Sequence, residues 1–399
     1  MLNPHTKKNN EKVISEINSL KKKLVEISLD ALEQLYIPGK KLFGAKRVVI
    51  DGKVINKGES IRYTLIALLG LYKAKEHGLE VKIDLNDVLF NLFEKIDKIN
   101  SAGDIGLLLW ICSLVNAEKV VDILAKINFA NILSTFPDSR KRKTTELSWL
   151  LIGLLSASIF NKNFASVIEN LPQKVYQELR NNYGGNGIFG HEAFKTFKLF
   201  PRNRIGTFSD QIYAIYAFTM YSKVFQNEEA SIISLYTAET LCKAQGKNGE
   251  WWWHYDSSTG KVIGEYPVYS VHQDSLVPFT FKFLKLATNR NFDNYTNKGL
   301  IWLTNKNKLN ANIIDENNLI INRAITIPKI NRYMKTVGAI LKLDASQNGN
   351  NLDLLEETRT FHYGWILFAH SDLSELNTEE EKKSVKKSSI SSKLKIYNI

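Results

Sequence analysis

Residues 251–274 combine aromatic rings, imidazoles and carboxylates more densely than any other part of the chain. After three consecutive tryptophans, the candidates in this stretch are His254, Tyr255, Asp256, Tyr269, His272, Gln273 and Asp274. Aromatic faces can stack on the C–H face of a pyranose ring, while carboxylate, amide and imidazole groups bind its hydroxyls. This combination predicts a saccharide site.

The first part of this stretch, residues 251–256, is predicted to be one arm of a hairpin, because the Ser-Ser-Thr-Gly that follows is typical of a turn. Side chains alternate between the two faces of an extended arm, so Trp252, His254 and Asp256 share one face. We expect this face to be functional, with His254 and Asp256 in catalysis and Trp252 in binding. Tyr255, on the opposite face with the other two tryptophans, is a further binding candidate. The alternative is that the tryptophans only brace helical repeats.

The second part of the stretch leads into a predicted helix. Ser270 is a plausible N-cap with Gln273 at the capping-box position, which places His272 and Asp274 in the first helical turn. We expect His272 to be catalytic, and Tyr269, Gln273 and Asp274 to bind substrate.

Ionisable residues recur at the starts of other predicted helices. Arg62 and Tyr63 lie in an otherwise apolar helix, and an arginine is almost never buried without a partner. Asp104 and Glu146 are the expected partners of Arg62, and all three are binding candidates. Tyr63 and Asp210 are catalytic candidates. The alternative for Asp104 and Asp210 is that each only stabilises a helix N-terminus.

Loop residues add further candidates for substrate binding. His191 follows the glycine-rich stretch 184–190, where the backbone could approach a ligand. This stretch is not a dinucleotide fingerprint, because no predicted strand precedes it. Arg202 and Arg204 precede a helix, and an arginine there could bind a carboxylate or phosphate with two hydrogen bonds. His362 begins the last predicted helix and is expected to help close the ring described next.

The helices that must position these residues follow one another in pairs. The first member of most pairs is apolar nearly all round and must be enclosed, whereas the second is amphipathic and can face water. This alternation predicts an all-α fold, an α/α toroid of about six helical hairpins with an inner and an outer ring of helices around one core. The predicted pairs are 60–75 with 85–99, 104–115 with 119–134, 145–160 with 164–181, 208–225 with 228–244, and 271–287 with 295–303, followed by a last helix at 358–370.

The chain divides into three predicted parts. Residues 1–44 are an N-terminal tail and a lead helix that starts at Glu11, 45–372 form the toroid domain, and 373–399 form a disordered C-terminal tail. A small β-hairpin is predicted near 47–56, where two β-branched runs flank an Asp-Gly pair.

One motif resembles a known repeat. Gln245-x-x-x-Gly249-x-Trp251 is similar to the QW repeat of the squalene cyclase and protein prenyltransferase toroids, with a degenerate echo at 176–189. Related α/α toroids include six-hairpin glycosidases, polysaccharide lyases and uronyl epimerases. The resemblance covers the helical body at the level of architecture and implies the toroid fold.

The resemblance does not extend to cofactors. The acid motif of the protonating cyclases, the aspartate-rich magnesium motif and the zinc ligand set of the prenyltransferases have no counterpart in the sequence. The two cysteines, Cys112 and Cys242, are far apart in apolar stretches, which excludes a disulfide framework and a cysteine-rich zinc site. The sequence therefore predicts no metal and no cofactor.

The chain carries a formal net charge of +12, from 53 Lys and Arg against 41 Asp and Glu. This balance is typical either of a solvated, lysine-rich surface or of a preference for acidic ligands such as uronate sugars. No nucleic-acid module and no integral membrane segment are apparent. The polar first dozen residues do not resemble a secretory signal, so we expect a cytoplasmic protein. The oligomeric state is not predicted.

Several functions fit these residues. An acidic saccharide could be processed by a uronate lyase or epimerase, which needs a cation beside the carboxylate and a His or Tyr for proton transfer. A glycosidase would instead need two carboxylates flanking the bond. The alternatives are isoprenoid chemistry of the cyclase or prenyltransferase type, with aromatic rings around a carbocation, and a non-catalytic glycan-binding scaffold in polysaccharide biosynthesis.

Overall fold

The computed structural model of the protein describes residues 4–99, 101–115, 143–160, 170–192, 204–327 and 352–372. The predicted helix at 119–134, the first part of the one at 164–181, Arg202 and the predicted tail at 373–399 lie outside the described residues.

Helices form the body of the molecule. In chain order they are α1 (Pro4–Leu35), α2 (Ile61–Glu76), α3 (Leu85–Glu94), α4 (Ala102–Val115), α5 (Thr144–Phe160), α6 (Leu171–Arg180), α7 (Phe208–Phe225), α8 (Glu228–Ala244), α9 (Val277–Thr288), α10 (Asp293–Trp302) and α11 (Thr360–His370). A 3₁₀ turn at Ile96–Lys98 follows α3, and a π-helical turn at His272–Leu276 runs directly into α9.

The inner helices form a closed ring. Helix α2 packs on α4, α4 on α5, α5 on α7, α7 on α9 and α9 on α11, and α11 packs back on α2. The outer helices α3, α6 and α8 pack against α2, α5 and α7, respectively. The predicted α/α toroid is therefore confirmed.

The inner helices are buried nearly all round, as their sequences require. In α4 all the side chains from Ile105 to Leu114 are buried, and the apolar run of α5 is buried from Leu147 to Leu155. Burial on every side explains why neither helix shows a polar stripe. No helix in the described part of the chain combines the length and apolar content needed to cross a membrane.

The lead helix is longer than predicted and belongs to the outer ring. It begins at Pro4 rather than at Glu11, since proline is tolerated in a first helical turn. Helix α1 packs on α11 and also touches α10. The N-terminal helix therefore covers the last inner helix, which has no later helix among the described residues to cover it.

Short strands lie in the loops between helices. They are β1 (Tyr36–Ile37), β2 (Leu42–Phe43), β3 (Lys46–Ile50), β4 (Lys53–Lys57), β5 (Ile205–Thr207), β6 (His254–Asp256), β7 (Lys261–Gly264), β8 (Val268–Tyr269), β9 (Ile314–Asp315), β10 (Ile320–Ile321), β11 (Ala324–Thr326), β12 (Asp353–Leu355) and β13 (Glu357–Arg359). Their three-stranded sheets have the orders β13-β3-β4, β5-β6-β7 and β12-β11-β8. Each sheet contains a strand that leads into an inner helix, so the sheets lie where inner helices begin.

The predicted hairpin near 47–56 is β3 and β4, which pair in the antiparallel sense. Asp51 and Gly52 both have positive φ, the conformation that a tight Asp-Gly turn requires. Strand β13 pairs with the other edge of β3, which ties the end of the toroid to its beginning.

Glycine pairs set the spacing of two inner-helix contacts. A Cβ atom on Gly153 of α5 would lie 2.1 Å from the carbonyl oxygen of Gly106 in α4. A Cβ atom on Gly70 of α2 would lie 2.1 Å from the carbonyl oxygen of Gly364 in α11. These helix backbones are in direct contact, so no larger residue fits without separating the helices.

We predict that Gly153→Ala lowers the free energy of unfolding by about 1 to 3 kcal/mol, the usual effect of overpacking. Helix propensity alone would favour alanine by about 1 kcal/mol, so a loss must come from packing. The matched control is Gly39→Ala, because a Cβ there meets nothing within 4 Å. Chemical denaturation of both variants checks the prediction, and equal stabilities would refute the close contact.

Candidate functional site

First-turn residues of the inner helices surround one cavity of about 380 Å³. The first turns contribute Arg62, Tyr63, Thr145, Ser209, His272, Phe361 and His362; the loops and strands contribute Trp253, Tyr269, Arg323 and Arg359; and Ile66, Trp149, Tyr213, Val271 and Leu276 complete the lining. Most of this last group lie four residues after a first-turn residue, which is the next position on the same helix face.

One wall of the cavity is built around Arg62. Its Nε donates to Asp104, its Nη1 lies 2.8 Å from Glu146 Oε1, and its Nη2 donates to Ser101 Oγ at 2.9 Å. The guanidinium also lies over the ring of Trp149, 5.2 Å from its centroid. Arg62 thus has both partners expected from the sequence, and its two carboxylate partners give this cluster an excess of negative charge.

Glu146 also caps a neighbouring helix. Its Oε2 accepts a hydrogen bond of 2.9 Å from the backbone N–H of Gly103 at the start of α4. Arg62 lines the cavity whereas Asp104 and Glu146 do not, so these carboxylates support the guanidinium from outside the lining. Tyr63, beside Arg62, does line the cavity, with its ring 4.9 Å from that of Phe361.

Around Glu357, by contrast, positive charge is in excess. This carboxylate accepts hydrogen bonds from Lys46 Nζ at 2.7 Å, Arg323 Nη1 at 2.9 Å and Arg359 Nε at 2.8 Å. Burial alone would raise the pKa of Glu357, but these cations outweigh it and lower the pKa to about 2. Three cations share one carboxylate, so this cluster has surplus positive charge, and both arginines line the cavity.

His272 is enclosed by aromatic rings. Trp253 stacks on it with an interplanar angle of 11° and centroids 5.8 Å apart, and the Phe208 ring lies 4.7 Å away. Ser209 Oγ lies 3.3 Å from His272 Nε2, and Nδ1 is buried without a partner among the described residues. Burial, assisted by the nearby His362 and Arg323, lowers the pKa of His272 to about 3. The imidazole is therefore neutral near neutral pH.

Asp274 lies behind the wall and binds His362. Its two carboxylate oxygens lie 2.8 and 2.7 Å from His362 Nε2, and both side chains are buried. The backbone oxygen of Asp274 is bonded to His370 Nε2. Burial raises the pKa of Asp274, and His362 opposes this shift. Gln273, the other binding candidate in this turn, is fully buried and does not line the cavity.

The predicted capping box before His272 is wrong. Ser270 Oγ donates to the backbone oxygens of Asn322 and Arg323, at 2.7 and 3.0 Å, instead of capping the helix. A π-helical turn follows, and its residues His272 and Leu276 line the cavity together with the preceding Val271.

Asp210 is fully buried and does not line the cavity. It forms a capping box with Thr207 at the start of α7, which is the alternative considered from the sequence. Its carboxylate also lies 2.9 Å from Thr145 Oγ1 and 2.9 Å from His191 Nδ1. Burial alone would lower the pKa of His191, but Asp210 outweighs it and raises that pKa. His191 also lies outside the lining.

The predicted arm at residues 251–256 faces the cavity with Trp253, not with the side of His254 and Asp256 that was expected to be functional. Trp253 lines the cavity, whereas His254 and Asp256 belong to β6, which pairs with β5 on one edge and β7 on the other. The pairing fixes the strand so that alternate side chains face away from the cavity. Burial lowers the pKa of His254 to about 4. Asp256 accepts hydrogen bonds from the backbone N–H and the hydroxyl of Ser258.

The remaining candidates of this region are also outside the lining. Tyr255 is completely buried beside Phe208, and Trp252 packs against Tyr266 with ring centroids 6.0 Å apart. Arg204 Nη2 lies 3.6 Å from Asp256 and also bonds the hydroxyl of Ser258. These contacts hold the β5–β6 region together.

Several lining residues were not predicted from the sequence. Ser209 and Tyr213 are four residues apart, one on each side of Asp210 in the sequence, so they lie on the same face of α7. The helical pattern around Asp210 could have indicated this face. Arg359 directly precedes α11. An ionisable residue at the start of an apolar helix is the same signal that indicates Arg62. Arg323 lies between two strands that the sequence did not predict, and no signal indicated it.

No group of three or more His, Cys, Asp or Glu side chains that could hold a metal ion is found within the described ranges. The polar atoms that reach the cavity belong mainly to arginine, histidine, tyrosine and hydroxyl side chains.

No protein-family model and no curated protein matches this sequence. Solved structures do match in fold. An unsaturated glucuronyl hydrolase specific for heparin aligns with a TM-score of 0.57 and 14% identity over 90% of this chain and 97% of that chain. The unsaturated glucuronyl hydrolase from Bacillus sp. GL1 aligns with a TM-score of 0.55 and 10% identity over 89% and 96% of the two chains.

A possible member of the GH105 family from Salmonella enterica is similar to the same extent, with a TM-score of 0.55 and 10% identity over 90% of this chain and 94% of that chain. At these identities the likeness establishes the fold of the described chain as an α/α toroid of the six-hairpin type.

We predict that Glu357→Gln destabilises the protein at pH 7 by about 1 to 2 kcal/mol, because the three cations lose their shared charge partner. The ion pairs hold the pKa at about 2, below the ordinary 4.5, so the wild type's advantage is complete above pH 4.5 and disappears as the pH falls to about 2.

Thermal unfolding from pH 7 to pH 2 checks this convergence. The control is Glu316→Gln, because Glu316 is 53% exposed and pairs with the exposed Lys23. A constant difference between wild type and Glu357→Gln at all pH values would contradict the prediction.

Proposed function

We propose that the protein binds a uronate-bearing oligosaccharide in this cavity and hydrolyses the glycosidic bond next to the uronate. The observation that carries the proposal is the charge of the lining. Arg62, Arg323 and Arg359 reach the cavity, whereas no carboxylate of the described residues lines it. Such a site favours an anion, and its volume lies within the range of small-ligand sites, about 300 to 1,000 Å³.

The two charge clusters indicate how the sugar is oriented. Arg62 already binds two carboxylates, so a third acidic group gains little there. Arg323 and Arg359 share Glu357 with Lys46, and their surplus charge is available to a ligand. We therefore place the uronate carboxylate against Arg323 and Arg359, where guanidinium groups can make charge-assisted hydrogen bonds to it.

The aromatic lining suits the sugar rings themselves. Trp253 and Tyr269 stand near Arg323, and Tyr63 and Phe361 stand near Arg62. Flat rings next to cationic groups match a ligand with apolar C–H faces and an acidic substituent. The rings line the space between the two charge clusters, so an oligosaccharide would extend from the Glu357 cluster toward Arg62.

One observation favours hydrolysis over elimination or epimerisation. The fold neighbours reported above are named as hydrolases of unsaturated glucuronyl sugars.

Isoprenoid chemistry of the cyclase or prenyltransferase type has less support. The aromatic lining would suit a carbocation, but the three guanidinium groups of the lining would repel it.

The test of the proposal uses a disaccharide with a terminal unsaturated glucuronyl residue. Hydrolysis releases the unsaturated uronate, which rearranges to a keto acid, so the ultraviolet absorbance of its conjugated double bond falls. Arg359→Ala is expected to lower kcat/KM about 10- to 100-fold, mostly through KM, because a charged hydrogen bond to the ligand is lost. The matched control, Arg290→Ala, removes an exposed arginine that pairs with Glu239 and should leave both constants unchanged.

The other outcomes are equally distinct. Unchanged KM in Arg359→Ala would contradict the placement of the carboxylate. A rise in absorbance on a saturated uronate polymer would identify a lyase. Binding of the disaccharide without any turnover would favour the glycan-binding scaffold over an enzyme.

A further inference from the structure

We infer that Asp274 and His362 form a proton-transfer dyad in the cavity wall, with His362 as a catalytic acid–base residue and Asp274 as its positioning residue. The inference rests on the proposed function, because it names the group that moves protons during hydrolysis.

The geometry of the pair supports this role. His362 Nε2 lies almost equally far from the two oxygens of Asp274, 2.8 and 2.7 Å, which is the arrangement of an N–H donating to a carboxylate. This bond fixes the ring orientation and leaves Nδ1 as the nitrogen available to a ligand. His362 lines the cavity whereas Asp274 does not, so the carboxylate supports the imidazole from behind.

His272 and Tyr213 of the described lining, and the carboxylates behind it, are less suited to exchange a proton. Burial lowers the pKa of His272 to about 3, and that imidazole has no carboxylate partner among the residues the structure describes. Burial raises the pKa of Tyr213 far above its ordinary value. Asp104 and Glu146 are bound to Arg62 behind the wall. His362 alone among the described lining residues joins an imidazole to a buried carboxylate.

The chemical step needs only water. Nδ1 of His362 takes a proton from a water molecule as its oxygen bonds to the sugar carbon. The bond from that carbon to the glycosidic oxygen breaks, and the proton passes to the leaving oxygen. While His362 carries this proton it is an imidazolium, which the carboxylate of Asp274 stabilises. The two products together contain all the atoms of the water that is consumed.

The kinetic test compares three substitutions on the unsaturated disaccharide. His362→Gln is expected to lower kcat about 10²- to 10⁴-fold with little change in KM, the usual contribution of a general acid–base. Asp274→Asn should lower kcat with little change in KM, because the imidazole loses the carboxylate that orients it. His370→Gln is the matched control, since His370 is buried on α11 and bonded to the backbone of Asp274 but lies outside the cavity.

Two results would overturn the dyad in this test. One is equal loss of kcat in His362→Gln and His370→Gln, which would indicate a structural role. The other is failure of added imidazole to restore turnover to a folded His362→Gly variant, because a missing proton carrier can be replaced from solution whereas a missing packing contact cannot.

A chemical probe tests the dyad separately from the proposed function. Diethyl pyrocarbonate acylates unprotonated imidazole nitrogens, and peptide mass spectrometry of the native protein locates the product. We expect faster modification of His362 than of His272 and His370, and slower modification of His362 in Asp274→Asn. If the wild type does not hydrolyse the disaccharide yet shows this pattern, the proposed function fails and the dyad stands. Modification of His362 only after unfolding would refute the dyad.

Discussion

The inner helices all begin at one end of the ring, and this shared direction determines the chemistry of the cavity. A helix N-terminus presents backbone N–H groups without intrahelical partners and a partial positive charge. Acidic side chains near the opening are drawn to these ends. Asp210 completes the capping box of α7, and Glu146 accepts a hydrogen bond at the start of α4.

This use of the carboxylates leaves cations and neutral groups to face the cavity. Asp104 and Glu146 are bound to Arg62, and Glu357 is bound to three cations at once. One cluster therefore has an excess of carboxylate and the other an excess of positive charge. The difference gives the cavity two chemically distinct ends, so a ligand that is acidic at one end has a preferred orientation.

The sequence predicts the architecture well because helix burial is a local pattern. Leu65–Leu71 and Leu107–Ile111 are apolar on every side, and only an enclosed ring buries them. The same reasoning indicates Arg62, Tyr63 and His362, because an ionisable or phenolic residue at the start of such a helix must face a partner or an opening.

The sequence predicts less of the site where strand pairing decides which way a side chain points. The choice between the faces of residues 251–256 depends on the pairing of β6 with β5 and β7, which brings Trp253 rather than His254 to the cavity. Arg323 reaches the cavity from between β10 and β11 rather than from the first turn of a described helix. The π-helical turn at His272 also depends on tertiary contacts, since Ser270 binds backbone oxygens of a distant segment.

We propose that the surplus positive charge beside Glu357 receives the acidic group of the ligand. The decisive experiment is a crystal structure of the protein with a bound unsaturated glucuronyl disaccharide. We expect the uronate carboxylate within hydrogen-bond distance of Arg323 or Arg359, with the sugar rings extending toward Arg62. A disaccharide bound with its carboxylate against Arg62, or bound outside the cavity, would refute this orientation.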